Sequence, residues 1–457
     1  MNGSGDGETT LPITTGISPG KLTGRKIVKV WWPLAASWML MALELPALSA
    51  VMTRMENPQI HLAAWGGVIF PICLIVESPI IMLLAASTAL SKDWASFRII
   101  RRFMFISSAV ITVVHILIAF TPLYYFVVGT LIGAPQEVIE PARPGLMFMT
   151  VWSAAIAYRR LNQGLLIRSG HSRSVGVGTM IRLSTDVAIL VSGLLAGGIP
   201  GATLAGLAVG CGVVAEAVYT GFRVRPVLRD ELRQAEVVKP PLDIRMFLVF
   251  YIPLALTSVL NLLIQPLGSA ALSRMPEALT SLALWSVVGG FVFILRSFGM
   301  AFNEVVVALL ENGQSYYQLR RFGMILAAVV TVALVMVSAT PVGVFWFRTV
   351  SGLSMELAQL AQKAVWFALP MPAMTVIISF YQGILVSNRR TKGITESMAI
   401  FLLFAIVLLG FGIAVQKWMG LYVGWIAFSV GVIVQVVWLW FRTQPARSAF
   451  RAEVEAA

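Results

Sequence analysis

Hydrophobic positions along this chain gather into long runs, and the polar positions gather between them. A helix needs roughly 20 apolar residues to cross a bilayer, and lipid offers the backbone no hydrogen-bond partners, so such runs predict membrane-spanning helices. They fall near 27–52, 62–90, 103–121, 145–167, 175–196, 202–222, 246–272, 279–308, 322–346, 360–386, 395–416 and 420–441, which makes twelve. The first 24 residues are polar, lack the pattern of a cleavable leader, and read as a mobile tail. The stretch 122–144 is half apolar and is expected to lie partly in the membrane interface.

Composition agrees with the pattern. The chain is 58% hydrophobic and 12% charged, with a mean hydropathy of +0.83, which excludes a soluble globular domain. Cys73 and Cys211 both fall within apolar runs and read as small packing residues rather than a disulfide.

The net charge of +13 is explained by where the cations sit. Alternate connections carry Arg25, Lys26 and Lys29; Lys92, Arg98, Arg101 and Arg102; Arg168 and Arg173; Arg223, Arg225, Arg229 and Arg233; Arg320 and Arg321; Arg389, Arg390 and Lys392; and Arg442, Arg447 and Arg451. The opposite connections hold Arg54, Arg143, Arg274, Arg348 and Lys417. The positive-inside rule therefore puts both termini in the cytoplasm of a plasma or inner membrane and argues against nucleic acid as a partner. The charged, proline-bearing stretch 223–245 divides the chain into lobes at 25–222 and 246–441, with a tail at 442–457.

The two lobes repeat. At an offset of 220, Pro33–Met55 and Pro253–Met275 share ten of 23 positions, including Pro46 with Pro266, Ser49 with Ser269 and Arg54 with Arg274. The same offset pairs Leu62, Ala63 and Trp65 with Leu282, Ala283 and Trp285. Six spans separate the copies, so both halves enter the membrane in the same sense. That predicts an all-α membrane protein of two six-helix lobes related by an axis along the membrane normal, with a solute cavity between them. Pro46 and Pro266 are expected to bend the first helix of each lobe.

The strings WWPL (31–34), VVHILIAFTPLYYFVV (113–128), LSTDVAI (183–189), PLALTSVLNLLIQPLGSAALSR (253–274) and FGMAFNE (298–304) resemble the progressive ankylosis family. That family lies within the multidrug/oligosaccharidyl-lipid/polysaccharide (MATE-like) exporter superfamily. The resemblance implies a MATE-like fold and export of pyrophosphate, ATP, citrate or a similar polyanion. His115, Asp186 and Glu304 fall at matching positions, and Glu44 matches with a one-residue slip. Gln265 departs, standing where a basic residue is expected before the proline.

Ionisable residues inside spans cost about 2.5–3.5 kcal/mol each on insertion scales and mark functional or closely paired positions. Glu44 and Glu77, near the middle of the first two spans, and Asp186, near the middle of the fifth, are candidate proton or Na⁺ carriers; the alternative is a hydrogen-bonded helix tie. His115 is a candidate proton relay or a packing residue. Glu216 and Lys363 are expected to snorkel, and Ala202, Gly206 and Gly210 to form a close packing face.

In the fourth span, Arg159 lies about 20 Å from an outer start near Leu146, with Arg160 and Gln163 just beyond it, and the group either lines a cavity that binds anions or serves as ordinary anchors. In the second lobe, Arg296 with Asn303 and Glu304, and Asn261 with Gln265, are candidate solute ligands.

No catalytic, phosphate-loop or metal-ligand spacing is present; GISPG (16–20) matches a hydrolase expression only by chance. The expectation is a monomeric, non-enzymatic secondary transporter that exports a small anionic solute by alternating access, coupled to H⁺ or Na⁺, in contact with membrane lipids and without cofactor or metal. The rivals are a flippase for a lipid-linked oligosaccharide, an exporter of amphipathic cations, and a membrane protein with a purely structural role.

Overall fold

The computed structural model describes residues 22–388, 390 and 392–455. The predicted tail therefore lies, up to residue 21, outside the described residues. Twelve long helical units follow one another. They are α1 (Gly24–Met52), α2 (Pro58–Glu77, resumed as Leu83–Leu90), α3 (Trp94–Phe120), α4 (Gln136–Phe148 and Thr150–Arg168), α5 (Arg173–Ala196), α6 (Gly201–Arg223), α7 (Ile244–Leu272), α8 (Ala278–Leu309), α9 (Gly313–Ala339), α10 (Met355–Ser387), α11 (Lys392–Val415) and α12 (Gly420–Arg442). Gln444–Glu455 adds a short α13 where a tail was expected.

Among the described residues eleven units are long and apolar enough to cross a membrane; α4 is not one of them. It also starts at Gln136 rather than near 145. Val138, Ala142 and Leu146 recur every four residues and are fully buried, while Glu137, Glu140 and Arg143 are interspersed among them. That amphipathic arrangement forms a helix without giving an apolar run.

Pro46 leaves the carbonyl of Ala42 without its helical donor, and α1 breaks at Leu43, between Gly24–Ala42 and Glu44–Met52. The helix of α7 is continuous through Pro253 and Pro266.

Packing reproduces the sequence repeat. In the first half α5 lies on α6, and α4 packs against α3, α6 and the end of α2; in the second half α11 lies on α12, and α10 packs against α8, α9 and α12. The first helix of each half reaches across to the other. α1 packs on α8 and α5, while α7 packs on α2 and α11, which are the equivalent partners under the repeat.

The halves meet tightly where Gly66 of α2 faces Ser286 of α8; a Cβ at Gly66 would overlap the Ser286 side chain. Beside it, Gln59 Nε2 donates to Thr280 Oγ1 at 2.7 Å.

Two arginines secure the end of the molecule opposite the chain termini. Arg274, at the end of α7, donates to the carbonyls of Thr130, Leu131 and Ile132 at 2.7–2.9 Å. Those carbonyls end the π-helical segment Phe126–Ile132 of the first half. Arg54, at the end of α1, donates to Thr349 O at 2.8 Å and to Val350 O at 3.4 Å, closing the corresponding segment Trp346–Val350 of the second half.

At the terminal end, Asp93 caps α3 through Ser96 N at 2.7 Å and accepts from Val238 N at 2.8 Å, which ties the linker to the first half. Burial alone would raise the pKa of its carboxyl, but these N–H donors outweigh it and the pKa is lowered.

Candidate functional site

A cavity of about 530 Å³ lies at the boundary between the halves, walled mainly by α7, α8, α10, α11 and α12, with Leu45, Trp65, Gly66, Phe70 and Leu74 completing it from the first half. Ala64–Ile69 of α2 is π-helical, and this local widening turns Trp65, Gly66 and Phe70 into the wall. Trp285 packs on Trp425 at 4.5 Å between ring centroids and edge-on to Phe428 at 5.0 Å. Phe293 and Phe401 extend this aromatic surface.

Its polar groups are four amides, Asn261, Gln265, Gln382 and Gln435, the hydroxyls of Ser286, Thr375 and Ser379, and one charge, Arg296. Arg296 Nε donates to Thr375 Oγ1 at 2.9 Å, and the Thr375 hydroxyl donates onward to Met371 O at 2.8 Å. The threonine thus fixes the guanidinium while leaving its terminal nitrogens unengaged. Among the described residues no carboxylate forms an ion pair with Arg296. Asn261 Oδ1 and Trp425 Nε1 are also buried without a protein partner. Such groups cost free energy unless something else satisfies them. The cavity thus combines flat apolar surface, several hydrogen-bonding groups and one cation.

A second cluster lies inside the first half. Arg182 of α5 pairs with Glu44 at 2.5 Å and stands 3.9 Å from Glu216 of α6. Glu216 is paired with Arg159 and accepts from Gln163 Nε2 at 3.0 Å. The fields of Arg160, Arg159 and Arg182 reach Glu77. Both Asp186 oxygens, and Oε2 of Glu77, are buried and unpartnered. Four carboxylates thus face three guanidiniums, and the cluster is neutral only when it holds one further positive charge. Gly212 and Gly178 let α5 and α6 close over it: a Cβ at Gly212 would collide with Asp186, and one at Gly178 would meet Glu216 Cγ at 3.2 Å.

The expected residues divide accordingly. Asn261, Gln265 and Arg296 line the cavity, and Glu44, Glu77 and Asp186 share the ionic cluster. Of the residues expected as solute ligands or anchors, Arg159 and Gln163 are buried against Glu216, which α6 presents to the face that carries them, and Arg160 is half-buried beside them.

Glu216 does not snorkel; it is fully buried at the centre of the cluster. Asn303 Nδ2 donates to Ser379 O at 3.1 Å and ties α8 to α10, while Glu304 is exposed and accepts from Trp38 Nε1 at 3.3 Å. Neither lines the cavity. His115 is fully buried, with Nδ1 at 3.3 Å from Ser153 Oγ and Nε2 at 3.2 Å from Leu146 O, a tie from α3 to α4. Gly206 and Gly210 pack against the backbone of Gly145 and Phe148, as the small-residue spacing implies.

Arg182 was not legible as a site residue from the sequence. Its signal is the spacing of four residues to Asp186 within an apolar run, which puts a cation and an acid on one helix face.

No protein-family model matches the sequence, and neither does any curated protein. Solved structures do. An inward-facing multidrug resistance MATE family transporter of the MOP superfamily superposes with a TM-score of 0.71 at 13% identity, covering 93% of this chain and 99% of that one. The lipid II flippase MurJ in an inward closed conformation gives 0.70 at 14% identity, covering 90% and 87%. An outward-facing MATE family transporter of the MOP superfamily gives 0.59 at 15% identity, covering 92% and 95%. The chain has the MATE-like fold of the MOP superfamily transporters.

Proposed function

We propose that this chain is a secondary transporter in which the two halves alternate access to the central cavity, and that its solute is an amphipathic molecule bearing one anionic group. The observation that carries this reading is Arg296, an unpaired guanidinium fixed by Thr375 in an aromatic, amide-lined cavity. Guanidinium suits a carboxylate or phosphate because its planar donors engage two oxygens.

Pyrophosphate, ATP or citrate, the solutes implied by the progressive ankylosis resemblance, would each bring several negative charges to a lining with one cation. Burying the excess charge is costly. The lining therefore favours a single charge on a largely apolar body.

Coupling is assigned to the cluster of Glu44, Glu77, Asp186 and Glu216 with three arginines, where a proton or Na⁺ supplies the missing positive charge. The abundance of Lys and Arg on the terminal side supports cytoplasmic termini. Two observations support a resting state closed on the opposite side: the tight Gly66–Ser286 crossing, and the higher overlap with the inward-facing than the outward-facing structure.

A second reading is movement of a lipid-linked anion, favoured by the mainly aromatic and aliphatic lining and by the overlap with a lipid II flippase. Proteoliposomes offered a dodecyl phosphate, a soluble aromatic carboxylate, pyrophosphate, citrate and an amphipathic cation, with and without a pH or Na⁺ gradient, separate these readings. Movement of either amphipathic anion supports the proposal. Movement of pyrophosphate or the cation alone contradicts it.

A further inference from the structure

We propose a phosphate-binding site outside the transport cavity, between the start of α9 and the C-terminal helix α13, which takes the phosphate of an anionic membrane lipid or free phosphate of the same chemistry. A cavity of about 470 Å³ there brings together Arg320 of α9 with Arg447 and Arg451 of α13. Tyr316, Tyr317 and Ser448 add hydroxyls to the same wall. One acid, Glu455, is present and is engaged by Arg451 Nε at 2.7 Å. The lining therefore keeps an excess of two positive charges.

This convergence is built rather than incidental. Phe450 stacks on Tyr316 at 5.4 Å, and Glu453 accepts from Gly313 N at 2.8 Å, fixing α13 against the first turn of α9. Arg447 lies over the Trp440 ring at 4.8 Å and donates through one terminal nitrogen to Trp440 O at 2.8 Å. Its Nε is buried without a partner. Its other terminal nitrogen makes no protein hydrogen bond among the described residues and can donate to a phosphate oxygen.

The surroundings fit a membrane surface. Trp440 and Phe441 are 50% and 57% exposed at the adjoining end of α12, where aromatic side chains mark the interface. Basic pockets among transmembrane helices at this level bind phosphate head groups. None of the cations belongs to the ionic cluster or the central cavity, so the inference stands or falls independently of the proposed solute.

The test compares the full-length chain with Arg320→Gln/Arg447→Gln and with Arg225→Gln/Arg229→Gln. The second variant removes the same charge from the linker on the same face. Each is placed in nanodiscs of phosphatidylcholine with phosphatidylglycerol as the minor component, and co-purifying lipid is counted by native mass spectrometry. A parallel arm titrates inorganic phosphate into the protein in pure phosphatidylcholine and reads Trp440 fluorescence as the difference from Trp440→Phe.

The expected result is phosphatidylglycerol enrichment that falls at least ~10-fold in the first variant and is unchanged in the linker variant. A saturable phosphate response lost in the first variant alone, without lipid enrichment, supports the site and identifies free phosphate as its ligand. Equal enrichment in all three proteins, or equal loss in the two variants, together with no phosphate response, overturns it. Arg447→Lys, which keeps the charge but not the planar donors, provides a variant with undisturbed charge balance and should bind more weakly than the native chain.

Discussion

Gly66 and Ser286 occupy equivalent positions of the internal repeat, 220 residues apart, and they face each other where α2 crosses α8. A residue meets its own counterpart only at the axis that relates the halves, so this contact marks the pseudo-twofold. The crossing also brings Gln59 against Thr280, a linkage that must break if the halves part on this side. A short thiol cross-linker between Gln59→Cys and Thr280→Cys, with Cys73 and Cys211 replaced by Ala and Ser, should arrest transport, and cleaving it should restore the rate. Undiminished transport in the cross-linked protein would show that the crossing stays closed throughout the cycle. Gly66→Leu overfills the same contact, and overpacking of this kind costs about 1–3 kcal/mol.

The arginine contacts at the same end should hold the closed state. Arg274→Ala leaves three carbonyls of Phe126–Ile132 without their donor, and Arg54→Ala does the same for Trp346–Val350. Hydrogen bonds from charged groups contribute about 1.5–3 kcal/mol each when measured by deletion. The two sets share no partner, so their effects should add. Labelling of a cysteine at Gln382 by an impermeant reagent applied from the side opposite the termini should rise in each variant and most in the double variant. Identical labelling in all of them would remove the arginines from this role.

Glu44 and Arg182 separate coupling from stability. Removing one partner of a buried pair costs about 3–5 kcal/mol, so Arg182→Gln should lower thermal stability markedly, and Glu44→Gln added to it should recover part of the loss. In Glu44→Gln alone, exchange of solute across the membrane should persist while gradient-driven accumulation disappears. Accumulation at the native rate would exclude Glu44 from coupling.

Asp93 gives a prediction in pH. Its pKa is lowered in the folded protein by Ser96 N–H and Val238 N–H. Its contribution is therefore complete above the unfolded-chain pKa near 3.9 and is lost as pH falls through the lower folded value. Hydrogen exchange at Val238 should stay slow at neutral pH and quicken only below the ordinary carboxylate range. Asp93→Asn should remove that protection at every pH. Slow exchange in the Asn variant would show that the linker docks by other contacts.

Much of the architecture was legible because a membrane span is announced by its own composition. The spans and the repeat both rest on local sequence. The start of α4 was hidden because its buried residues recur every four positions among charges, which lowers the average apolarity although one face is fully covered.

The ionic cluster was half visible. Glu44, Glu77 and Asp186 stand out as acids in apolar runs, but Arg182, Arg159 and Glu216 acquire their meaning only when α4, α5 and α6 converge. Arg159 read from sequence is a cation at a certain depth; read in the fold, it is the counter-charge of an acid 57 residues away.

The central claim is that Arg296 recognises one anionic group on an amphipathic solute. It is tested most directly by binding of an aromatic carboxylate and its uncharged primary amide to the native chain and to Arg296→Gln in nanodiscs, measured by calorimetry. A charge-assisted bidentate contact should favour the carboxylate by at least ~10-fold in the native protein, a difference of about 1.4 kcal/mol. Arg296→Gln should bring the two affinities together while leaving the amide nearly unaffected. Equal affinities in the native protein, or a carboxylate preference that survives Arg296→Gln, would contradict the account.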